Sequence, residues 1–470
     1  MKNNRRNFLK LSGLTGLGVA GAGALKGFAQ EPANNLIKHF DRKPPMQRFN
    51  MCDYAAPRLD KVRVGIIGLG DRGPGHLEGL VKIEGVEIKA LCDVRPEAAN
   101  SAKKSIDGYG HKPVIYSENS ESWKKLCERD DIDVVYICTP WDMHTPMALY
   151  AMEHGKHAFV EVPIALTIED CWKLVETSER TKKYCRMMEN ACYGSLTTLN
   201  MVRMGYFGEI VHGEAGYLHN LVERYFFNKN QYWDMWRLKN NARAVGDLYP
   251  THGLGPVAQI MDINRGNSMD FMVSMSTNDF TLAAKAKELA AKDDFFKPFA
   301  DLSYRGNMTT TIIRTKKGQT IKLGHDTSSP NIHSDWFKII GTKGTVFDDP
   351  KRISNGGEKW LSEEEAKAIE KKYEPGIIKK MGELAQKAGG HGGVDFLQNW
   401  FMVDRLRNGL PLDQDVYDAA AWSVIVPLSE WSVTNHSSPV KIPDFTYGSW
   451  ITNKPFDISL KEGGNTKVKV

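Results

Sequence analysis

The sequence predicts an α/β protein in two parts: an N-terminal doubly wound parallel sheet, then a C-terminal α+β domain on an open, largely antiparallel or mixed sheet. Three observations carry this. From residue 61 short apolar runs alternate with amphipathic stretches of helical period. After about residue 194 strand patterns follow one another with few helices between them. The 470 residues also exceed the roughly 250–300 that a single hydrophobic core organises.

The strand patterns of the first part are residues 61–68, 86–93, 113–117, 132–140, 157–163 and 186–193. Helical patterns separate them. Residues 167–181 place Ile168, Cys171, Trp172, Leu174 and Val175 on one face. In the second part a helix at 197–204 leads to strand-like stretches at 210–218, 270–276, 307–315, 320–325 and 336–341. Residues 361–385 read as a charged, exposed helical insertion. Residues 394–407 and 416–434 read as helices with apolar faces packing back on the body. The chain thus divides into 1–29, an arm at 30–58, a nucleotide domain at 59–190, a substrate domain at 191–440 and a tail at 441–470 that packs on the body.

Between the first strand and the first helix lies Gly68-Leu69-Gly70-Asp71-Arg72-Gly73. Glycines in this G-x-G-x-x-G pattern permit a tight turn and close backbone approach to a pyrophosphate. The following helix N-terminus offers unpaired N–H groups and partial positive charge. Asp93 ends the next strand, 20 residues after Gly73, where a carboxylate accepts ribose hydroxyls and repels a 2′-phosphate. This is the Rossmann fingerprint, and it favours NAD over NADP. The alternative is a glycine-rich turn with no ligand.

Residues 1–29 read as an export signal. Arg5-Arg6 precede Phe8-Leu9-Lys10, a mild apolar run rich in Gly and Ala follows, and Gly27-Phe28-Ala29 offers a small-x-small cleavage site. The expectation is a periplasmic or otherwise exported protein using the twin-arginine route, against a cytoplasmic N-terminal helix or a signal anchor. Five of the 62 basic residues lie in this segment, so the remainder balances the 57 acidic ones. A neutral mature chain calls for neither nucleic acid nor an anionic membrane as partner. The apolar run is too short and weak for a confident membrane span. The seven cysteines form no C-x-x-C and sit mostly in apolar runs, which favours buried free thiols over a disulfide framework. No metal-ligand spacing is present, so no metal site is expected.

The nucleotide half resembles the Gfo/Idh/MocA oxidoreductases through Gly68-Leu69-Gly70, Cys138-Thr139-Pro140 and Glu161-Val162-Pro163. In the sugar dehydrogenases of that group the last motif is usually Glu-Lys-Pro, and its lysine helps move the alcohol proton. Here Val162 stands in that place and can neither relay a proton nor bond a hydroxyl. A resemblance over nearly the whole mature chain is to the NAD-dependent glycosidases of glycoside hydrolase family 109, whose named activity is α-N-acetylgalactosaminidase. It rests on Pro140-Trp141-Asp142-Met143-His144, Met188-Glu189-Asn190-Ala191-Cys192-Tyr193, Leu248-Tyr249-Pro250-Thr251-His252-Gly253, Met261-Asp262-Ile263-Asn264-Arg265-Gly266 and Gly390-His391-Gly392-Gly393.

By position, that resemblance implies NAD contacts at Asp71 and Arg72, Asp93, Trp141, Asp142, Met143, His144, Glu161, Val162 and Asn190. It implies sugar contacts at Tyr217, Arg237, Tyr249, Pro250, Thr251 and His252. His333 falls where the family has a tyrosine, and the Asp71 position is usually apolar in the relatives. The implied mechanism is redox-neutral. C3 of the sugar is oxidised, the acidified C2 proton leaves, the C1 aglycone is eliminated, water adds at C1 and C3 is reduced again. NAD would be held tightly and regenerated each turnover, and no paired carboxylates need flank the glycosidic bond.

Such chemistry needs proton-transfer groups near C2 and C3. His252 and Tyr249, with Tyr193 and Tyr217 as second candidates, can supply them; the alternative for His252 is a cap on a helix starting at Gly253. His391 can be a ligand or a loop residue. The aromatic run from Tyr225 to Trp236 can stack a sugar but reads more readily as core or an oligomer contact. The competing functions are an NAD-dependent sugar oxidoreductase and a non-catalytic sugar-binding protein. The partner is a small molecule or glycan, and a homo-oligomer through the second-domain sheet is expected.

Overall fold

The computed structural model describes residues 46–230, 233–348 and 350–469. The signal-like segment at 1–29 and the first part of the arm lie outside the described residues. The nucleotide domain holds strands β1 (Val62–Ile67), β2 (Val86–Cys92), β3 (Val114–Tyr116), β4 (Val134–Ile137), β5 (His157–Val160) and β6 (Cys185–Met187). They form one six-stranded sheet in the order β3-β2-β1-β4-β5-β6, with every pairing parallel. This is the dinucleotide-binding order, with its crevice where the winding reverses between β1 and β4. The central strands β1, β4 and β5 are buried on both faces, which explains why they read as continuous apolar runs. Helix α1 (Arg72–Leu80) leaves the glycine turn. Helices α2 (Pro96–Ser105), α3 (Ser122–Cys127), α4 (His144–Glu153) and α5 (Ile168–Thr181) supply the crossovers. α5 begins where expected because the Thr167 hydroxyl accepts from the Asp170 N–H.

One strand is shorter than its pattern. β6 stops at Met187, and Ala191–Gly194 form a helical turn, α6, followed by α7 (Leu196–Arg203). Tyr193, expected at a strand end, is therefore a buried helical residue. Its hydroxyl accepts from Arg186 at 3.2 Å, and Arg186 is also bonded to Asp413.

The second sheet has eight strands, with β7 (Ile210–Leu218), β8 (Met269–Ser276), β9 (Met308–Thr315), β10 (Thr320–Asp326), β11 (Lys338–Gly341), β12 (Thr345–Asp348), β13 (Lys351–Ser354) and β14 (Val440–Lys441). Their order is β13-β12-β11-β7-β10-β9-β8-β14; only β7 and β10 pair in parallel. The sheet is mixed and largely antiparallel, as expected. One face is covered by helices, among them α9 (Thr251–Ile260), which follows α8 (Trp236–Arg243).

Two expectations need correction, and the contacts between the domains add a third observation. The 361–385 segment forms α10 (Glu363–Tyr373), and α11 (Gly376–Ala388) continues past it; Ala366, Ile377, Met381 and Ala385 are buried, so the pair is packed rather than projecting. The helix at 416–434 is two, α12 (Val416–Ser423) and α13 (Ile425–Thr434), because Pro427 has no N–H and crowds the carbonyl four residues back. A domain boundary at 190/191 separates the sheets but not the helices. Residues 394–408, a helix between α11 and α12, lie against α1 and β1, and α12 lies against α5 and β6. The arm and the tail both pack on the nucleotide domain. The Ala56 N–H donates to the Tyr184 hydroxyl, and the Lys469 N–H donates to the Lys82 carbonyl. All seven cysteines are unpaired, and all but the half-buried Cys138 are buried.

α9 sits unusually close to β7. Along β7, Gly213, Ala215 and Tyr217 point to the same face. A Cβ on Gly213 would lie 2.5 Å from Val257, and a Cβ on Gly253 would lie 2.8 Å from the Gly216 nitrogen. No other residue fits at these positions without moving the helix. Gly253→Ala is therefore expected to destabilise the fold by about 1–3 kcal/mol, the cost of overpacking a filled core, and to lower Tm. An unchanged or raised Tm, as alanine gives in an ordinary helix, would show that the helix can move away.

Candidate active site

The nucleotide cradle takes the form that the glycines demand. Gly68 has φ of 89°, a conformation that favours glycine, and a Cβ there would strike the Cys138 carbonyl at 2.5 Å. A Cβ on Gly73 would lie 2.0 Å from the Gly68 carbonyl, so the first turn of α1 presses against the end of β1. Asp93 is fixed at the tip of β2. One oxygen accepts from the Leu69 N–H at 2.7 Å, and the other accepts from the Arg95 backbone and guanidinium at 2.9 and 3.2 Å. The glycine turn, helix N-terminus and carboxylate fit a dinucleotide whose pyrophosphate crosses the turn and whose ribose meets Asp93.

Beside the turn, Arg72 is the hub of an ion-pair network that joins distant parts of the chain. It donates to Glu161 Oε1 at 2.9 Å and makes a two-pronged contact with Asp395, both bonds 3.1 Å. His76 Nε2 lies 2.7 Å from the same Glu161 oxygen. Asn190 donates to Asp395 at 2.6 Å, and His391 Nδ1 lies 2.7 Å from it. Arg72, Glu161 and Asn190, expected as cofactor contacts, thus converge, and His391 joins them through Asp395. Burial alone would raise both carboxylates. The Arg72 charge with His76 instead holds Glu161 down at about 2, and the His391 hydrogen bond with Arg72 holds Asp395 well below the carboxylate range. His76, Cys138 and Glu161 bring ligand-type atoms within 4.8 Å of one another. Arg72 already occupies the Glu161 oxygen, which makes the cluster an ion pair.

The remaining expected cofactor positions differ among themselves. Trp141 is buried, and its indole N–H donates to the Val162 carbonyl at 3.0 Å. The His144 ring is turned inward, between the Pro163 and Thr139 carbonyls at 2.7 and 2.8 Å, so it braces the 139–163 loops. Asp71 and Asp142 are exposed, Met143 is half-buried and Val162 is buried.

At the junction of the domains Trp141 meets residues of the second domain. The Tyr249 ring lies 6.0 Å from Trp141, 4.6 Å from Tyr217 and 4.9 Å from His252. Tyr217 and His252 are 5.3 Å apart, edge to face. The Arg237 guanidinium sits 5.3 Å from the Trp141 ring and 5.1 Å from the Tyr249 ring. Pro250 precedes the first turn of α9, which carries Thr251 and His252. His252 is therefore helical itself rather than a cap on a helix starting at Gly253. The turn before α9 is held by Asp247, which accepts from the Tyr249 N–H at 2.8 Å and lies 3.0 Å from His325 Nδ1. His333 is at the rim, exposed, with its ring 4.6 Å from His219 and 6.4 Å from Tyr217.

Burial drives the Tyr249 hydroxyl well above its usual range, so it stays protonated. For His252 burial works downward, but the Glu189 carboxylate, whose Oε1 is 2.7 Å from Nδ1, overrides it and leaves the imidazole more basic than usual. Tyr193 belongs to the Arg186–Asp413 pair and is not among these residues. Of the aromatic run, Phe226 and Phe227 are core with Phe296 and Phe299, while Trp236 packs on Trp141 at 5.0 Å.

Residues 193–452 match the model of the glycosyl hydrolase 109 C-terminal domain, and residues 62–189 match the oxidoreductase family NAD-binding Rossmann fold. The chain belongs to glycoside hydrolase family 109. It is 44% identical to a family 109 protein of Shewanella pealeana, over 97% of this chain and 99% of that one. It is 43% identical to a protein of Shewanella oneidensis named alpha-N-acetylgalactosaminidase, over 97% and 98% of the two chains. Among solved structures, levoglucosan dehydrogenase with NADH and levoglucosan covers 82% of the chain at 16% identity with a TM-score of 0.60, which shows the shared fold. The protein is an NAD-dependent glycoside hydrolase on an oxidoreductase scaffold.

Two site carboxylates escaped the sequence reading. Glu189 stands beside Asn190 in a quoted motif, and the sign was a charged residue just past a buried strand. Asp395 follows Gly390-His391-Gly392-Gly393, and the sign was a carboxylate in the first turn of a helix.

The depressed carboxylates make a pH expectation. A group whose folded value lies below its unfolded one stabilises above the unfolded value and loses that contribution as pH falls. Stability from the Arg72 network is thus complete above about pH 4.3 and decays toward about pH 2. Thermal unfolding between those limits should show Asp395→Asn losing part of the wild-type slope; an identical slope would show that Asp395 carries none of it.

Proposed function

We propose that this family 109 enzyme hydrolyses terminal α-N-acetylgalactosaminides, or a closely related sugar, by the redox-neutral route. The observation that carries the reading is the His252–Tyr249–Tyr217 cluster meeting Trp141 of the nucleotide domain, with aliphatic Val162 where a dehydrogenase keeps its lysine. When bound, NAD supplies reversible removal and return of the C3 hydride, which makes the neighbouring C2 proton acidic. Arg72, Asp93, Trp141 and Asn190 would hold it.

His252 accepts the C2 proton and returns it, since its raised basicity suits a base that must also act as an acid near neutrality. Tyr249, which burial keeps protonated at rest, relays the C3 hydroxyl proton: it passes its own proton on to solvent as it takes the one from O3 when the hydride leaves, and reverses this when the hydride returns. Arg237 and Tyr217 orient the ring from either side. Glu161 is engaged by Arg72 and His76, and Glu189 by His252, so the carboxylates near the cluster are not a free acid–base pair of the ordinary glycosidase kind. A dehydrogenase reading fits the fold and shares the C3 oxidation, but it gives no role to a base for the C2 proton.

A resident, regenerated NAD also accords with export. The Arg5-Arg6 signal is of the class that carries folded proteins, and a cofactor held in the folded protein needs no recycling outside the cytoplasm. No described helix is long and apolar enough to cross a membrane. The outer face of the second sheet, with Met275 and Ile312 exposed, offers a self-association surface.

One preparation tests the reading. Protein from the periplasmic fraction, lacking residues 1–29 and eluting as an oligomer, should release nitrophenol from p-nitrophenyl α-N-acetylgalactosaminide without added NAD. His252→Ala should cost well over tenfold in rate, as loss of a proton-transfer group does. NADH accumulating in proportion to the sugar released would support the dehydrogenase instead, and undiminished turnover by His252→Ala would remove that residue from the chemistry.

A further inference from the structure

We propose that Glu189 is the positioning partner of His252: it turns Nδ1 inward, leaves Nε2 for the sugar and supplies the counter-charge for the imidazolium. The proposal rests on the reading of His252 as the proton carrier.

Glu189 lies just past β6, in the nucleotide domain, and is fully buried. Its Oε1 accepts from the Ala191 N–H at 3.1 Å and is 2.7 Å from His252 Nδ1, an ion-pair contact. Its Oε2 is buried with no hydrogen-bond partner among the described residues. A buried carboxylate with one bare oxygen is costly unless a cation compensates it. Of the groups facing it, the His252 imidazole is the one in contact that can take up a positive charge. The space is kept open by the helix itself: a Cβ on Gly255 would lie 2.9 Å from Glu189 Cγ.

The other groups around His252 do not supply that charge balance. Tyr217 from β7 and Tyr249 from the preceding turn are neutral hydroxyls against its ring. Asp335, before β11, raises its basicity less than Glu189 does, and Arg72, from α1, opposes it. Arg72 is itself paired with Glu161 and Asp395. The first turn of α9 carries partial positive charge, which also disfavours an imidazolium there. Without Glu189 each remaining strong influence except Asp335 would push the proton off.

The arrangement has a consequence for orientation. Glu189 belongs to one domain and His252 to the other, so their contact registers α9 against the cofactor side of the crevice. A neutral isostere should keep the packing but lose the charge, whereas aspartate keeps the charge at a shorter reach.

The test is an NMR pH titration of the NAD-loaded full-length mature enzyme with histidine-labelled rings, the His252 signal being assigned by its loss in His252→Asn. In the wild type the midpoint should lie above about 6.5, the ordinary histidine value. In Glu189→Gln it should fall by about one pH unit or more, and Glu189→Asp should recover part of that fall. The limb of the kcat–pH profile that reports His252 should move by the same amount while KM changes little. A wild-type midpoint below the ordinary value, or one that Glu189→Gln leaves in place, overturns the proposal; the first measurement needs no variant to fold. A midpoint that moves while neither limb follows overturns instead the assignment of His252 as proton carrier.

Discussion

The close seat of α9 on β7 is the constraint on which the site depends. A helix normally stands off a sheet by the thickness of its side chains. Here Gly253 against Gly216, and Gly213 against Val257, remove that thickness at one end. The first turn of α9 consequently reaches the end of β7, where Tyr217 stands. Three aromatic groups from two stretches, Tyr217 and the Tyr249/His252 pair, come within ring contact there, and His252 reaches Glu189 across the domain boundary. Had the glycines carried side chains, the same residues would be present but apart.

A second coupling works through charge. Arg72 leaves the glycine turn that cradles the nucleotide, yet its partners lie at the end of β5 and in the helix at 394–408. The C-terminal part of the chain thus folds back to complete the first domain and lock its cofactor loop. Buried ion pairs contribute little net stability compared with apolar packing, but they are exacting about geometry, and breaking one is costly. That exactness would suit the resident cofactor of the proposed cycle, which removes and returns the same hydride. The same contacts join the helix at 394–408 to the nucleotide domain.

Much of the fold was legible in the sequence for a simple reason. Central parallel strands are buried on both faces and read as apolar runs, and the glycine turn with Asp93 adds fixed spacing; β1, β2, β4 and β5 therefore appear close to where they were expected. β12 and β13 are only four residues each, the first half polar and the second mostly polar, so they carry no period long enough to see. The break at Val424 was visible in Pro427 and went unread. In the site, Tyr249, His252, Tyr217 and Arg237 were reached through the family resemblance, while their meeting at one junction is a property of packing. Glu189 and Asp395 were not reached. A carboxylate shows its role only when the imidazole or guanidinium it pairs with is known, and those partners are far away in the chain. Tyr193 failed in the opposite way: its motif is right, but β6 ends early and the ring turns into the Arg186–Asp413 pair.

What unites these features is a scaffold of the hydride-transfer type that carries aliphatic Val162 where a dehydrogenase keeps a lysine and gathers Tyr217, Tyr249 and His252 at the domain junction. The redox step would then serve an elimination at the neighbouring carbon instead of yielding a product of its own. The most direct measurement is NMR of the sugar released when turnover is run in D2O. Redox-neutral hydrolysis through His252 requires one solvent deuterium at C2 of the product, with no change in the amount of reduced cofactor. Product carrying only protium at C2, or reduced cofactor rising in step with released sugar, would contradict it.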